Sequence, residues 1–413
     1  MAAKIIQGNN KKFKKVKLDL VTLDLIENAL KNARWEMDAV LFRTAMSPGI
    51  REQHDEFPMI ANNDGKMVVG QFGSFIYGFI EGYEGTIEEG DIFLTNDPYS
   101  CRGAISHLPD WLVLQPIFKD HRVIAWSAMF GHMTDVGGKV PGSLPVDSNQ
   151  IYEEGIMIPP TKIYKKGKLN SEILELILHN CRLPEWNRAD FNALIAALRI
   201  AEKRCIEIAD RFGDDYFIEA MEQMLDRNKR AMSAIIGMFV PEKKAYFEDY
   251  ICDDGIGMGP YKVACTLHRD KNGVAVFDFE GTDPQSMSSV NFMLNEEMFK
   301  MFLGAFTINI FDPQILFNDG FYDLVDVRIP AGTILKPMKP ASLSSRTHML
   351  GRIFDIMGGL LGQGAPDALN AAGFSDSPHF MYSGYDKHGE WFQLYQIGFG
   401  GIPGRPVGDG PDG

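Results

Sequence analysis

Residues 111–118 and 122–130 form two apolar runs on either side of Lys119-Asp120-His121. Nothing else in the chain restricts the fold as much. Each run is long enough for a strand, and the polar tripeptide between them leaves room only for a tight turn. An antiparallel hairpin is predicted. With a three-residue loop, Phe118 faces Arg122, Asp110 faces Phe130 and Leu108 faces His132. A two-residue loop shifts that count by one. In both cases His132, in FGHMTDVGG, emerges beside SHLPDW, which holds His107 and Asp110. Facing residues in such a ladder lie about 4.5–5.5 Å apart at Cα.

That meeting has chemical content. Two imidazoles and one carboxylate at a strand end suit Zn²⁺, Mn²⁺ or Fe²⁺, with positions left open for water or substrate. Such a metal lowers the pKa of bound water or polarises a carbonyl or phosphoryl oxygen. Pro109 stiffens the loop between the two ligands. Taken singly, each histidine is more often a surface or satisfied core residue. Asp135 is a candidate partner orienting a ligating histidine, although a Thr-Asp-Val-Gly-Gly turn accounts for it equally. Asp97, in TNDPYS, reads as the start of a turn before Pro98. Cys101 is a candidate thiol and a candidate fourth ligand. A closed four-ligand shell would make the metal structural and the chain a non-catalytic scaffold. The ligand types also match the facial triad of ferrous oxygenases, but that signature is His-x-Asp and here it is His-x-x-Asp.

The remainder of the chain is globular in composition. Of 413 residues, 45% are hydrophobic and 23% charged, and the net charge of −14 argues against a nucleic-acid partner. The five cysteines form no CxxC pair, which reads as reduced intracellular thiols. The basic N-terminus lacks an apolar signal core, and no run of about 18 apolar residues occurs, so a cytoplasmic protein without a membrane span is expected. There is no GxxxxGK[ST] phosphate loop and no GxSxG elbow. The glycines at 358, 359, 362 and 364 read as helix packing more readily than as an anion cradle.

The expected fold is α+β, with mixed, largely antiparallel sheets, long helices and an irregular Gly/Pro-rich segment over 131–160. Residues 1–17 are expected to be mobile. Residues 18–245 form a metal-site domain that opens on a helix over 18–46, its stripe carried by Val21, Leu25, Ile26, Ala29, Ala33, Met37 and Val40. A hairpin turning at Asn63-Asp64-Gly65, a strand over 91–95 and a helical stretch over 172–232 follow. Residues 246–413 read as a β-rich domain, truncated at its C-terminus. It has strands over 261–267, 274–279 and 324–329 and a buried helix over 295–311.

Three stretches carry a family resemblance: TNDPYSCRGAISHLPDW, GHMTDVGGKVPGSLP and IYEEGIMIPPTKIYKKGKLN. They resemble the hydantoinase B/oxoprolinase family, over most of the chain from about residue 18. The family includes 5-oxoprolinases, hydantoinases, lactam hydrolases and biotin-independent ketone carboxylases. In its ketone carboxylases a metal is held at positions matching His107, Asp110 and His132. The resemblance implies a divalent metal here and ATP used by an actin-like partner subunit of the hydantoinase A type. It implies ATP-dependent opening of a lactam or imide ring. The alternative it carries is ATP-dependent carboxylation of a ketone. Two stretches depart from the hydrolase pattern and lean toward the carboxylases. Met129-Phe130-Gly131-His132-Met133 lacks the paired histidines and arginine of many hydrolases, and SSRTHMLGRIFDIMGGLLGQG differs from the hydantoinase form. The chain also stops within the Gly-rich motif that GGIPGRPVGDGPDG resembles.

Overall fold

The computed structural model describes residues 3–6, 13–71, 75–371, 373, 376, 378–398, 400–401 and 403–410. The protein is α+β, and its main sheet is antiparallel at every pairing. Seven strands run in the order Met67–Gly70, Glu56–Ala61, Arg122–His132, Asp110–Lys119, Ile92–Thr95, Thr161–Lys165 and Lys168–Leu169. The predicted hairpin therefore lies near the middle, covered on both faces, which is why its strands read as unbroken apolar runs. Trp111, Val113 and Ile117 enter one core, and Leu112, Leu114 and Phe118 enter the other, by the two-residue alternation of a strand.

The hairpin register differs from the expectation. The turn has two residues, Asp120 and His121, both at positive φ, and Lys119 faces Arg122. A bulge then inserts Ile124, so that Ile117 faces Ala125 and Asp110 faces His132. The expected partners, Phe130 for Asp110 and Leu108 for His132, are off by two positions. The shorter turn accounts for one and the bulge for the other. The bulge also explains why Ile124 and Ala125 both enter the same core.

The long helix Leu20–Thr44 starts where the Asp19 carboxylate accepts from the Thr22 amide at 3.0 Å. Its buried line is Leu23, Ile26, Leu30, Ala33, Met37 and Leu41. Val21 and Leu25, expected on that line, are 68% and 48% exposed. This helix is apolar along more than one line, and packing against the helix Pro184–Phe212 selects the line. The helical stretch resolves into Ser171–His179, Pro184–Phe212 and Asp214–Phe239. Among the described residues no helix is long and apolar enough to cross a membrane.

Beyond residue 245 a second sheet runs Ala245–Ile251, Tyr261–Arg269, Ala275–Asp278 and Val325–Arg328, its last pairing parallel. Two helices, Glu296–Phe311 and Thr347–Leu361, share its core, so the region read as β-rich is itself mixed. Gly359 lies inside the second helix, where an added Cβ would come within 2.5 Å of the Phe247 ring; it serves close packing. Within the N-terminal segment read as mobile, Lys4–Ile5 pairs with Thr86–Ile87, while 1–2 and 7–12 lie outside the described residues. An unforeseen ribbon, His379–Tyr385 with Trp391–Ile397, folds back across the first half, and Gln393 donates to the Thr134 carbonyl at 3.0 Å.

Candidate metal centre

Asp110 and His132 are paired across the central ladder, so their side chains leave the same face at the end of the hairpin. His107 comes from the loop just before, which is held in place by Asn96. That buried amide donates to the Leu108 carbonyl at 2.7 Å and accepts from Ile158 at 2.7 Å. The Pro109 carbonyl accepts from Met133 at 2.8 Å and continues the ladder past the strand end. The three predicted residues are brought together: one ligand atom from each lies within 4.8 Å of the others, and all three are buried.

One carboxylate oxygen serves both rings. Asp110 Oδ1 is 3.0 Å from His107 Nε2 and 3.0 Å from His132 Nδ1. Burial works to raise the Asp110 pKa, but the two histidines more than reverse it and hold the carboxyl well below its usual range. His132 is displaced upward: burial opposes its charge, and the bond to Asp110 and the Asp55 carboxylate outweigh burial. His107 is pushed down to about 3, by burial first and by the Arg346 guanidinium second.

The donor set fits a metal. His107 Nε2 lies 3.0 Å from Asp110 Oδ1 and 3.2 Å from Arg346 Nη2. One ring nitrogen cannot donate to the first and accept from the second at once. His107 Nδ1 is buried with no hydrogen-bond partner among the described residues. A neutral imidazole beside an ionised carboxylate is the form in which both act as ligands.

The other sequence candidates fall elsewhere. Asp135, expected to orient a ligating histidine, touches neither. Its carboxylate accepts from Gly137 and Gly142 amides at 2.9 and 3.0 Å and pairs with Arg182 at 3.0 Å, which makes it the organiser of the 134–142 loop. Cys101 lies outside the ligand group, 3.0 Å from Thr95 Oγ1, and burial pushes its thiol up to about 12. It supplies neither a fourth ligand nor a thiolate, so the closed-shell scaffold loses its support. Asp97 accepts from Tyr99 at 3.0 Å, the turn expected of it.

Four residues around the centre escaped the sequence reading. The Asp55 carbonyl accepts from the His132 amide at 3.1 Å, and its carboxylate lies 3.5 Å from His132 Nδ1. Burial raises the Asp55 pKa. Arg346, just before the helix Thr347–Leu361, reaches Asp110 Oδ2 at 3.6 Å. Tyr395, on the ribbon, stacks on His132 with ring centres 5.3 Å apart, and His379 meets Tyr395 edge-on. The HD of EQHDEF precedes a strand beside the site hairpin, the one local cue to Asp55; nothing local signals the other three. Together these residues line a cavity of about 290 Å³ that opens between the first sheet and the second core.

Known proteins share this arrangement of chain. The Pseudomonas jessenii protein named caprolactamase subunit beta is 28% identical over 366 residues, 86% of this chain and 62% of that one. The crystal structure of the ATP-dependent caprolactamase from the same organism superimposes with a TM-score of 0.80 at 25% identity, covering 92% of this chain and 66% of that one. A nucleotide-free acetone carboxylase structure superimposes with a TM-score of 0.84 at 18% identity, covering 94% and 55%, which shows a common fold. In each case the chain spans less than two thirds of its relative's length. The pattern described as Hydantoinase B/oxoprolinase matches residues 19–413, and the chain belongs to that family.

Proposed function

We propose that this chain carries the metal-binding part of an ATP-dependent enzyme that opens a lactam or imide ring. The observation that carries the reading is the convergence of His107, Asp110 and His132, all buried and with both rings against the Asp110 carboxylate, on the wall of a cavity. Kinship with a caprolactamase subunit supports the reaction class. ATP is used by an actin-like partner subunit, which delivers the ring carbonyl activated by phosphorylation.

His107, Asp110 and His132 hold a divalent ion, Zn²⁺ or Mn²⁺ before Fe²⁺, which supplies Lewis acidity toward the carbonyl oxygen and water. Asp55, whose carboxylate lies 3.5 Å from His132 Nδ1, takes the proton of the attacking water. Arg346 faces the oxygen that gains negative charge. Asp135 keeps the following loop in shape from a distance.

Elemental analysis of the purified chain beside His132→Ala tests the centre. About one ion per chain is expected, lost in the variant. ATP-dependent ring opening by the reconstituted complex falls at least ~100-fold in the same variant; unchanged turnover overturns the reading. Carboxylation of a small ketone is a second reading, favoured by the apolar Phe130 in the cavity wall. It is recognised by ATP-driven fixation of labelled bicarbonate into an acid-stable product.

A further inference from the structure

Arg346 stands immediately before the helix Thr347–Leu361, and its guanidinium is poorly served where it lies. Nη1 donates to Thr347 Oγ1 at 3.1 Å. Nη2 lies 3.2 Å from His107 Nε2 and 3.6 Å from Asp110 Oδ2. Nε is buried with no hydrogen-bond partner among the described residues. The side chain is 13% exposed, so little water makes up the shortfall. A guanidinium carries five N–H donors, and burying them unmatched is costly. The histidine beside it fares no better. If His107 Nε2 accepts from Arg346, it turns a lone pair on Asp110 Oδ1 at 3.0 Å; if it donates to Asp110, it turns an N–H on the guanidinium. In either case Nδ1 has no partner among the described residues. Arg346 brings a positive charge to these ligand atoms with a geometry that cannot satisfy both of them.

We propose that Arg346 is a built-in competitor of the ion: it occupies the ligand side of His107 and Asp110, is expelled when the ion enters, and is thereby turned into the cavity. The inference rests on the reading that His107, Asp110 and His132 hold a divalent ion. An ion accepts a lone pair from the ring and from the carboxylate together, which a group made only of donors cannot do for the ring in both of its forms. The ion and the guanidinium are both positive, and a few ångströms apart in a buried site their repulsion is scarcely screened. One of them has to leave. Arg346 has somewhere to go: with Thr347 and Leu350 of the helix that follows, it lines the cavity of about 290 Å³. Loading the centre and aiming a cation at a bound substrate are then one event. The same repulsion opposes the ion, so Arg346 lowers the affinity of the centre it serves.

The test is the affinity of the metal-stripped full chain for Mn²⁺ and for Zn²⁺, measured by competition with a chromogenic chelator. It needs neither ATP nor a partner subunit. Arg346→Met and Arg346→Gln remove the charge and keep most of the bulk; each should bind the ion at least about 10-fold more tightly than the wild type. Arg346→Lys keeps the charge and should stay within about 3-fold of the wild type. Far-ultraviolet circular dichroism checks that each variant folds, and either neutral variant suffices. Without added ion the neutral variants should melt below the wild type, because Asp110 loses a positive neighbour. Added ion should then raise their thermal midpoints by more than it raises that of the wild type. A merely structural role for Arg346 gives the opposite result, a weaker site in every variant. Equal or weaker binding by the neutral variants, with binding by the wild type, overturns the inference and leaves the metal reading standing. If neither the wild type nor any variant binds an ion, the metal reading falls and the inference falls with it.

Discussion

At Asp110, one oxygen stands 3.0 Å from both histidines, so the centre depends on a single carboxylate more than on either ring. Asp110→Asn keeps the shape but loses the charge that draws the histidines and an ion together. Metal content should fall to near zero while the far-ultraviolet circular dichroism stays that of the wild type. Asp135→Ala should do the reverse. It orphans two buried amides and the Arg182 partner, so chemical denaturation should show a loss of about 2–4 kcal/mol with the metal retained. The pair separates ligand from loop organiser. His107, Asp110 and His132 were legible in the sequence because one hairpin brings them together, and hairpin geometry can be counted. Asp55 and Arg346 were not. Arg346 lies 239 residues from the histidine it touches, and that contact is made by packing that no local pattern records.

Among the elements, the irregular 131–160 segment is tied to the second half of the chain by a buried carboxylate. Glu154 accepts from the Leu343 and Ser344 amides at 2.6 and 3.0 Å and from the Ser342 hydroxyl, which ties the segment to the residues leading to Arg346. Its other oxygen is buried without a hydrogen-bond partner among the described residues. Burial raises its pKa from 4.5 to about 7, against the pull of these donors. The folded state therefore binds the proton more tightly than the unfolded chain does. Stability from this group is complete below pH ~4.5 and declines as pH rises toward 7, by about 3 kcal/mol in all. Glu154→Gln should flatten that slope in denaturation curves taken from pH 5 to 8. Gly359→Val should cost about 1–3 kcal/mol by driving a side chain into the Phe247 ring. The strand and helix positions were mostly readable from turn residues and apolar period. The bulge at Ile124 was not, because an inserted residue changes register without changing composition.

Across the whole molecule, the first sheet and the core of the second sheet meet at the cavity, and the centre is walled by both. An ion bound there stabilises the folded state alone. At a free concentration about 100 times its Kd it should add about 2.7 kcal/mol, visible as a rise in the thermal midpoint that His132→Ala abolishes. The change from helical to strand period near residue 245 was legible, and the strands of the second sheet begin there. The return of the C-terminal ribbon over the first half was not, since a two-stranded ribbon carries a weak signal and its destination carries none. That return also sets a clock. Gln393 reaches back 259 residues to Thr134, and Tyr395 covers His132. At ~5–20 residues per second, the ribosome makes the ribbon on the order of 13–50 s after His107, Asp110 and His132. For that interval the nascent chain displays its two histidines and its aspartate without their cover, and an ion captured then is chosen by the half-built site.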